Sequence, residues 1–169
     1  MTALSGCKKP VTERTPAEQK KEADEDALRV KLTTIPTKEQ LTKKPAIKGK
    51  AVYFEESAGR WGKENAFIGD STGYSAISGR LTYGLKEAGT VILKTSCKNE
   101  RSGNYGAVPA YVESCVLLVI DPAIPAVVYK ERVDGKLENI ATLRKSTTRV
   151  DASVSAPQIY QFIGSLAQN

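Results

Sequence analysis

Three cysteines, Cys7, Cys97 and Cys115, are the residues of this 169-residue chain best suited to covalent chemistry. Their surroundings divide them. Cys97 closes the β-branched stretch from Thr90 and Cys115 sits inside a second one, Tyr111 to Ile120, both bounded by Gly, Asp and Pro, so both stretches read as strands. Cys7 stands near the start in a polar region. No histidine is present anywhere. That excludes Ser-His-Asp and Cys-His nucleophilic sites, an imidazole proton shuttle and any metal centre that needs imidazole. Three cysteines without close spacing also fail as a zinc knuckle or a redox CxxC pair, so neither metal nor cofactor is expected. Catalysis would have to use Asp, Glu, Lys, Ser or Tyr. Asp70 with Glu56 is the carboxylate pair the sequence offers, and surface charge is the plainer reading of both.

A disulfide requires its two Cα atoms to lie roughly 4.4 to 6.8 Å apart, and therefore nearly opposite on paired strands. Setting Cys97 against Cys115 places Thr95 beside Leu117, Leu93 beside Val119, Ile92 beside Ile120 and Arg101 beside Tyr111, around a tip near Ser102 to Ala110. Closing such a loop would contribute on the order of 3 kcal/mol. The alternative is two free, buried thiols. Val116 to Ile120 is a continuous apolar run, which fits a central strand covered on both faces.

Leu4-Ser5-Gly6-Cys7 resembles the lipobox of bacterial lipoproteins. The resemblance implies a diacylglyceryl anchor on Cys7, and Lys8 rather than Asp after it implies sorting to the outer membrane, facing the periplasm. An acylated cysteine holds a protein at a bilayer without a spanning helix; no apolar run approaches the roughly 18 residues such a helix needs. Only Met1-Thr2-Ala3 precedes the motif, shorter than the apolar region of a secretory signal. The expectation is a start upstream of Met1. Assigning Cys7 to lipid leaves an even cysteine pair, as an oxidising compartment favours. A second resemblance fails. Gly69-Asp70-Ser71 is similar to the nucleophile block of SGNH-type serine esterases, whose serine needs a C-terminal histidine that this chain lacks, so a turn is the simpler account.

The formal charge of +6 is shared evenly, +3 over residues 1–44 and +3 over residues 45–169. No basic stripe with interleaved aromatics appears, so nucleic acid is not an expected partner. Residues 8–45 are rich in Lys, Glu, Thr, Gln and Pro and lack aromatics, the composition of a flexible tether. Within them Thr15-Pro-Ala-Glu18 is a capping box opening a short helix to about Arg29. Residues 46–169 then form one domain. Ile47 to Glu55 reads as a strand and Ser57 to Gly73 as a long Gly-rich loop around Trp61, a lone Trp that either pins the loop or lines a pocket. Tyr74 to Lys86 carries Tyr74, Ile77, Leu81 and Leu85 at helical spacing. Ala126 to Val133 is a strand with Val127, Tyr129 and Val133 on one side and Lys130 and Arg132 on the other. Asp134-Gly135 signals a two-residue turn, residues 136–146 fit either helix or strand, and Thr148 to Val154 alternates as a strand. Ser155-Ala-Pro-Gln158 is a second capping box, before a helix whose Ile159, Phe162, Ile163 and Leu166 make one apolar stripe.

The expected fold is α+β, an antiparallel sheet of four to five strands with a C-terminal helix packed on it, behind the tether. The leading functional expectation is a non-enzymatic envelope lipoprotein that binds or supports a periplasmic protein or glycan, through Trp61 and the hairpin-tip residues Arg101, Asn104 and Tyr105. A periplasmic inhibitor or immunity protein against a toxin or lytic enzyme is the alternative, and a hydrolase independent of histidine the third reading.

Overall fold

The computed structural model describes residues 15–17, 19–20, 23, 27, 30–31, 44–56, 60–61, 73–82, 84–137 and 146–168. Contacts divide the chain into Met1–Thr34 and Ile35–Asn169. In the first unit Pro16, Ala17, Gln19, Lys20, Ala23, Ala27, Val30 and Lys31 are helical, and the Gln19 N–H donates to the Thr15 carbonyl at 3.0 Å. That agrees with a helix opened by Thr15 and Pro16. Its described residues are exposed, as expected of a helix without a broad apolar stripe. Among the described residues no helix is long and apolar enough to cross a membrane, a statement that does not bear on β-barrels.

The second unit is built on strands β1 (Ala46–Ile47), β2 (Lys50–Glu55), β3 (Arg60–Trp61), β4 (Ala88–Tyr105), β5 (Val108–Asp121), β6 (Ala126–Asp134), β7 (Val150–Ala152) and β8 (Ala167–Gln168), with helices α1 (Tyr74–Ile77) and α2 (Ala156–Ser165). Six strands make the main sheet in the order β3-β2-β4-β5-β6, and β7 also pairs with β5. The sheet is mixed rather than purely antiparallel: β2 runs parallel to β4 and β7 parallel to β5. A return parallel to its neighbour needs a long crossover. The segment from β2 to β4, which contains α1, provides it, and sequence periodicity cannot report a strand's direction. β1 and β8 form a separate parallel pair that joins the two ends of the domain.

One face of the sheet carries Ala51, Tyr53, Ile92, Cys115, Leu117 and Val119 beneath the stripe Ile159, Phe162, Ile163 and Leu166. All four stripe residues are buried. Burial of each large apolar side chain contributes about 1.5 to 3 kcal/mol before entropy is counted. The helix begins as expected. Gln158 Oε1 accepts from the Ser155 N–H at 3.0 Å, and Pro157 occupies the first turn, where its missing N–H costs nothing. It ends on Arg80, whose Nη1 donates to the carbonyls of Gly164 at 3.3 Å and Leu166 at 2.7 Å. A guanidinium here both satisfies helix-end acceptors and opposes their partial negative charge.

Three expectations change. The helix foreseen over Tyr74 to Lys86 is only α1, followed by 3-10 turns at Ser78–Arg80 and Leu85–Glu87. Leu81 instead bridges to Ala51, and the Thr82 N–H donates to the Ala51 carbonyl at 2.8 Å, so sheet pairing displaces a helix already weakened by Gly79 and Gly84. Asp134-Gly135 is not a hairpin turn. Asp134 ends β6, while the Gly135 N–H donates to the Glu113 carbonyl at 2.8 Å and extends the pairing along β5. A Cβ on Gly135 would strike the Ala152 carbonyl oxygen, so the glycine answers to a close approach of β7. Finally, Val127 pairs with Ile120 and Tyr129 with Val119 across a bulge, which puts Val127 on the opposite face from Tyr129 and Val133.

Candidate functional site

The cysteine pair is formed: Cys97 and Cys115 are bonded, with Cα atoms 4.1 Å apart, slightly closer than the usual range. The expected register holds on the tip side, where Lys98 faces Ser114 and Arg101 faces Tyr111. On the inner side it slips by one, so Thr95 faces Val116, Leu93 faces Leu118 and Ile92 faces Val119. The cause is a bulge in which Ser96 and Cys97 together oppose Cys115, with Ser96 at φ 53°. Side chains alternate along a strand, so without the extra residue Cys97 would point to the opposite face from Ile92 and Lys94. The bulge brings it back to the face that bears Cys115.

That same face holds a charge cluster around a buried lysine. Lys94 is 5 % exposed, and its ammonium lies 2.8 Å from Glu55 and 3.6 Å from Glu113. Glu113 Oε2 also accepts the Val154 N–H at 2.7 Å, which ties the approach to α2 onto β5. Tyr53 lies on the same face of the sheet; burial, then the charges of Glu55 and Glu113, push its phenol well above the ordinary range, so it stays protonated. A charge in this setting is tolerated only when paired, and Lys94 has two carboxylates. Sequence periodicity pointed to none of these groups. The available signal was a lysine in phase with the core positions of an apolar strand, Val91-Ile-Leu-Lys94, and a glutamate in phase with Cys115 and Leu117.

Among the described residues, Cys97, Cys115 and Glu113 are the set whose ligand atoms come within 4.8 Å of one another. With both sulfurs spent in a bond, no thiolate is available for a metal. Glu56 accepts a short hydrogen bond from Thr95 Oγ1. Its proposed partner Asp70, and Ser71, lie outside the described residues, as do Cys7 and residues 138–145.

Past the bulge the hairpin is exposed. Strand pairing continues to Tyr105 and Val108, so the tip is a tight turn at Gly106 and Ala107, with Gly106 at φ 62°. The longer tip expected from Ser102 to Ala110 is in fact strand. Arg101 and Asn104 are exposed and joined by a hydrogen bond of 3.4 Å, and Tyr105 is half-buried at the end of β4. On β5, Tyr111 is covered by the Arg149 guanidinium, 3.9 Å from its ring centre. Trp61 belongs to another part of the sheet: β3 pairs Trp61 with Phe54, which pairs with Leu93. At about 3.3 Å per residue, Asn104 lies on the order of 30 Å farther along β4. The register position of Trp61 and the hairpin tip are therefore well separated along the sheet. An open cleft of about 490 Å³ lies between β7 and the start of α2, with Lys136 and Asp151 as its charged lining.

Compared with known proteins, the chain matches no family model, no curated protein and no solved structure.

Proposed function

We propose that this chain is a non-enzymatic lipoprotein of the bacterial cell envelope, anchored through Cys7 at the outer membrane and binding an envelope protein or glycan through its exposed hairpin. The observation that supports the reading is the bond between Cys97 and Cys115. Such bonds persist in oxidising compartments and are rare where thiols are kept reduced. Removing that pair leaves Cys7 as the one remaining cysteine of the chain, in the tetrapeptide that resembles a lipobox. The charge cluster supports the non-enzymatic part of the reading. Lys94, Glu55 and Glu113 satisfy one another, and Glu113 is further committed to Val154. The accessible polar groups lie instead along β4 from Lys98 to Asn104.

The test is expression of the gene with its natural upstream sequence in a bacterium fed an alkyne fatty acid. Wild type is expected to take up the probe and Cys7→Ala to lose it. Equal labelling of both, or of neither, overturns the anchor. In-cell cross-linking from position 104 tests the binding surface, with an enriched glycan or an envelope protein other than this chain expected. Enrichment of nothing above a variant carrying the cross-linker at Lys86 contradicts it.

A further inference from the structure

We infer that the outer half of β4 is a homotypic interface, at which two copies of this chain pair edge to edge and antiparallel about Asn99. Three observations on this strand combine. The first is an open edge. β2 accompanies β4 only as far as Lys94, and among the described residues no strand pairs with that side of β4 beyond it. Lys98, Asn99, Glu100 and Arg101 are all exposed.

The second is the direction of the backbone groups. The Glu113 carbonyl accepts from Gly135 on the far side of β5, so the polar groups of Glu113 point away from β4. Asn99 stands directly opposite Glu113. Opposed residues of an antiparallel pair either both exchange hydrogen bonds or both point outward. The N–H and C=O of Asn99 therefore face the open edge, and by alternation so do those of Arg101.

The third is charge. Antiparallel pairing of two identical strands about Asn99 sets Lys98 of each copy opposite Glu100 of the other. Both contacts join opposite signs, they recur by symmetry, and they fall at the non-hydrogen-bonded positions where side chains approach most closely. Within its own chain Glu100 meets Arg132 at 3.1 Å, an exposed pair of the kind that contributes little and that the intermolecular contact would replace. The register shifts at Ser96 and Ser102 bound the segment, so pairing is short and closes as a dimer rather than spreading along the edge. The tip residues Asn104 and Tyr105 lie beyond this segment, so the pairing leaves them to the envelope partner proposed above.

Sedimentation of the full chain across a concentration series tests this independently of the anchor. Wild type is expected to pass from monomer to dimer as concentration rises to several hundred micromolar. Lys98→Glu and Glu100→Lys each set like charges opposite one another and are expected to weaken association at least tenfold. The double variant K98E/E100K restores opposite signs and is expected to recover it. Asn99→Pro removes an outward N–H without touching the β5 ladder, and is expected to stay monomeric while melting as a folded protein. A wild type that is monomeric throughout, single variants that associate unchanged, or a double variant that fails to recover would each overturn the interface.

Discussion

Ser96, at φ 53°, is what turns Cys97 toward Cys115. An L-residue in that region costs about 1 to 2 kcal/mol, and a β-branched one more. Ser96→Val is therefore expected to lower unfolding free energy by about 1 to 2 kcal/mol in a urea melt, and Ser96→Gly to be neutral or stabilising. Deleting Ser96 restores strict alternation and is expected to yield two titratable thiols at Cys97 and Cys115 in the unreduced protein. A deletion variant that keeps the bond and the wild-type melt contradicts the role given to the bulge.

Lys94 holds two carboxylates inside the domain. Lys94→Met leaves both without their cation; the two carboxylates are 23 % and 21 % exposed, so the cost is expected to stay below the roughly 3 to 5 kcal/mol of breaking a fully buried pair. The loss is expected at pH 7. Denaturant melts of wild type, Lys94→Met and Lys94→Arg at pH 7 provide the check: Lys94→Arg keeps the cation and should lose less, and equal losses in the two variants would exclude an ionic origin.

Asp121 is 5 % exposed and is bonded to Lys48 at 2.6 Å. That hydrogen bond, aided by the Ala123 N–H, holds its carboxyl below the usual carboxylate range against the opposing effect of burial. A depressed folded-state pKa means stability that is present above the unfolded value and lost as pH falls through the folded one. Asp121→Asn is accordingly expected to be less stable than wild type at pH 7, and to converge with it as pH falls below the usual carboxylate range. Parallel curves across that range would exclude the linkage.

Phe162 is 4 % exposed, with its ring 6.5 Å from that of Tyr129 and the Lys44 ammonium 5.3 Å from its centre. Phe162→Ala should cost about 3 to 5 kcal/mol, and Phe162→Asp should unfold the domain, as judged by loss of the cooperative thermal transition. An unchanged transition in the Asp variant would refute the packing of α2.

Much of this fold was legible because local signals and tertiary packing agree. The capping box at Ser155 and Gln158 and the stripe from Ile159 to Leu166 lead directly to a buried helix. Arg101 opposite Tyr111 followed from the cysteine pair alone. What could not be read depends on neighbours remote in sequence. Gly135 carries a turn signal, yet it is glycine because β7 passes too close for a Cβ. Leu81 has helical spacing, yet Ala51 offers its backbone a better partner. The parallel direction of β2 leaves no periodic trace, and a bulge shifts every register counted through it. The charged core of Lys94, Glu55 and Glu113 was obscured for a similar reason: each residue looks like surface until the strands bearing them lie side by side.

The central claim is that three sulfurs divide into one bonded pair and one lipid attachment. Mass spectrometry of the unreduced protein, expressed from its natural gene and extracted from the envelope, tests it directly. The account predicts one crosslinked peptide joining Cys97 to Cys115 and a mature N-terminus at an acylated Cys7. Three alkylatable thiols, with Cys7 inside an unprocessed N-terminus, would contradict it.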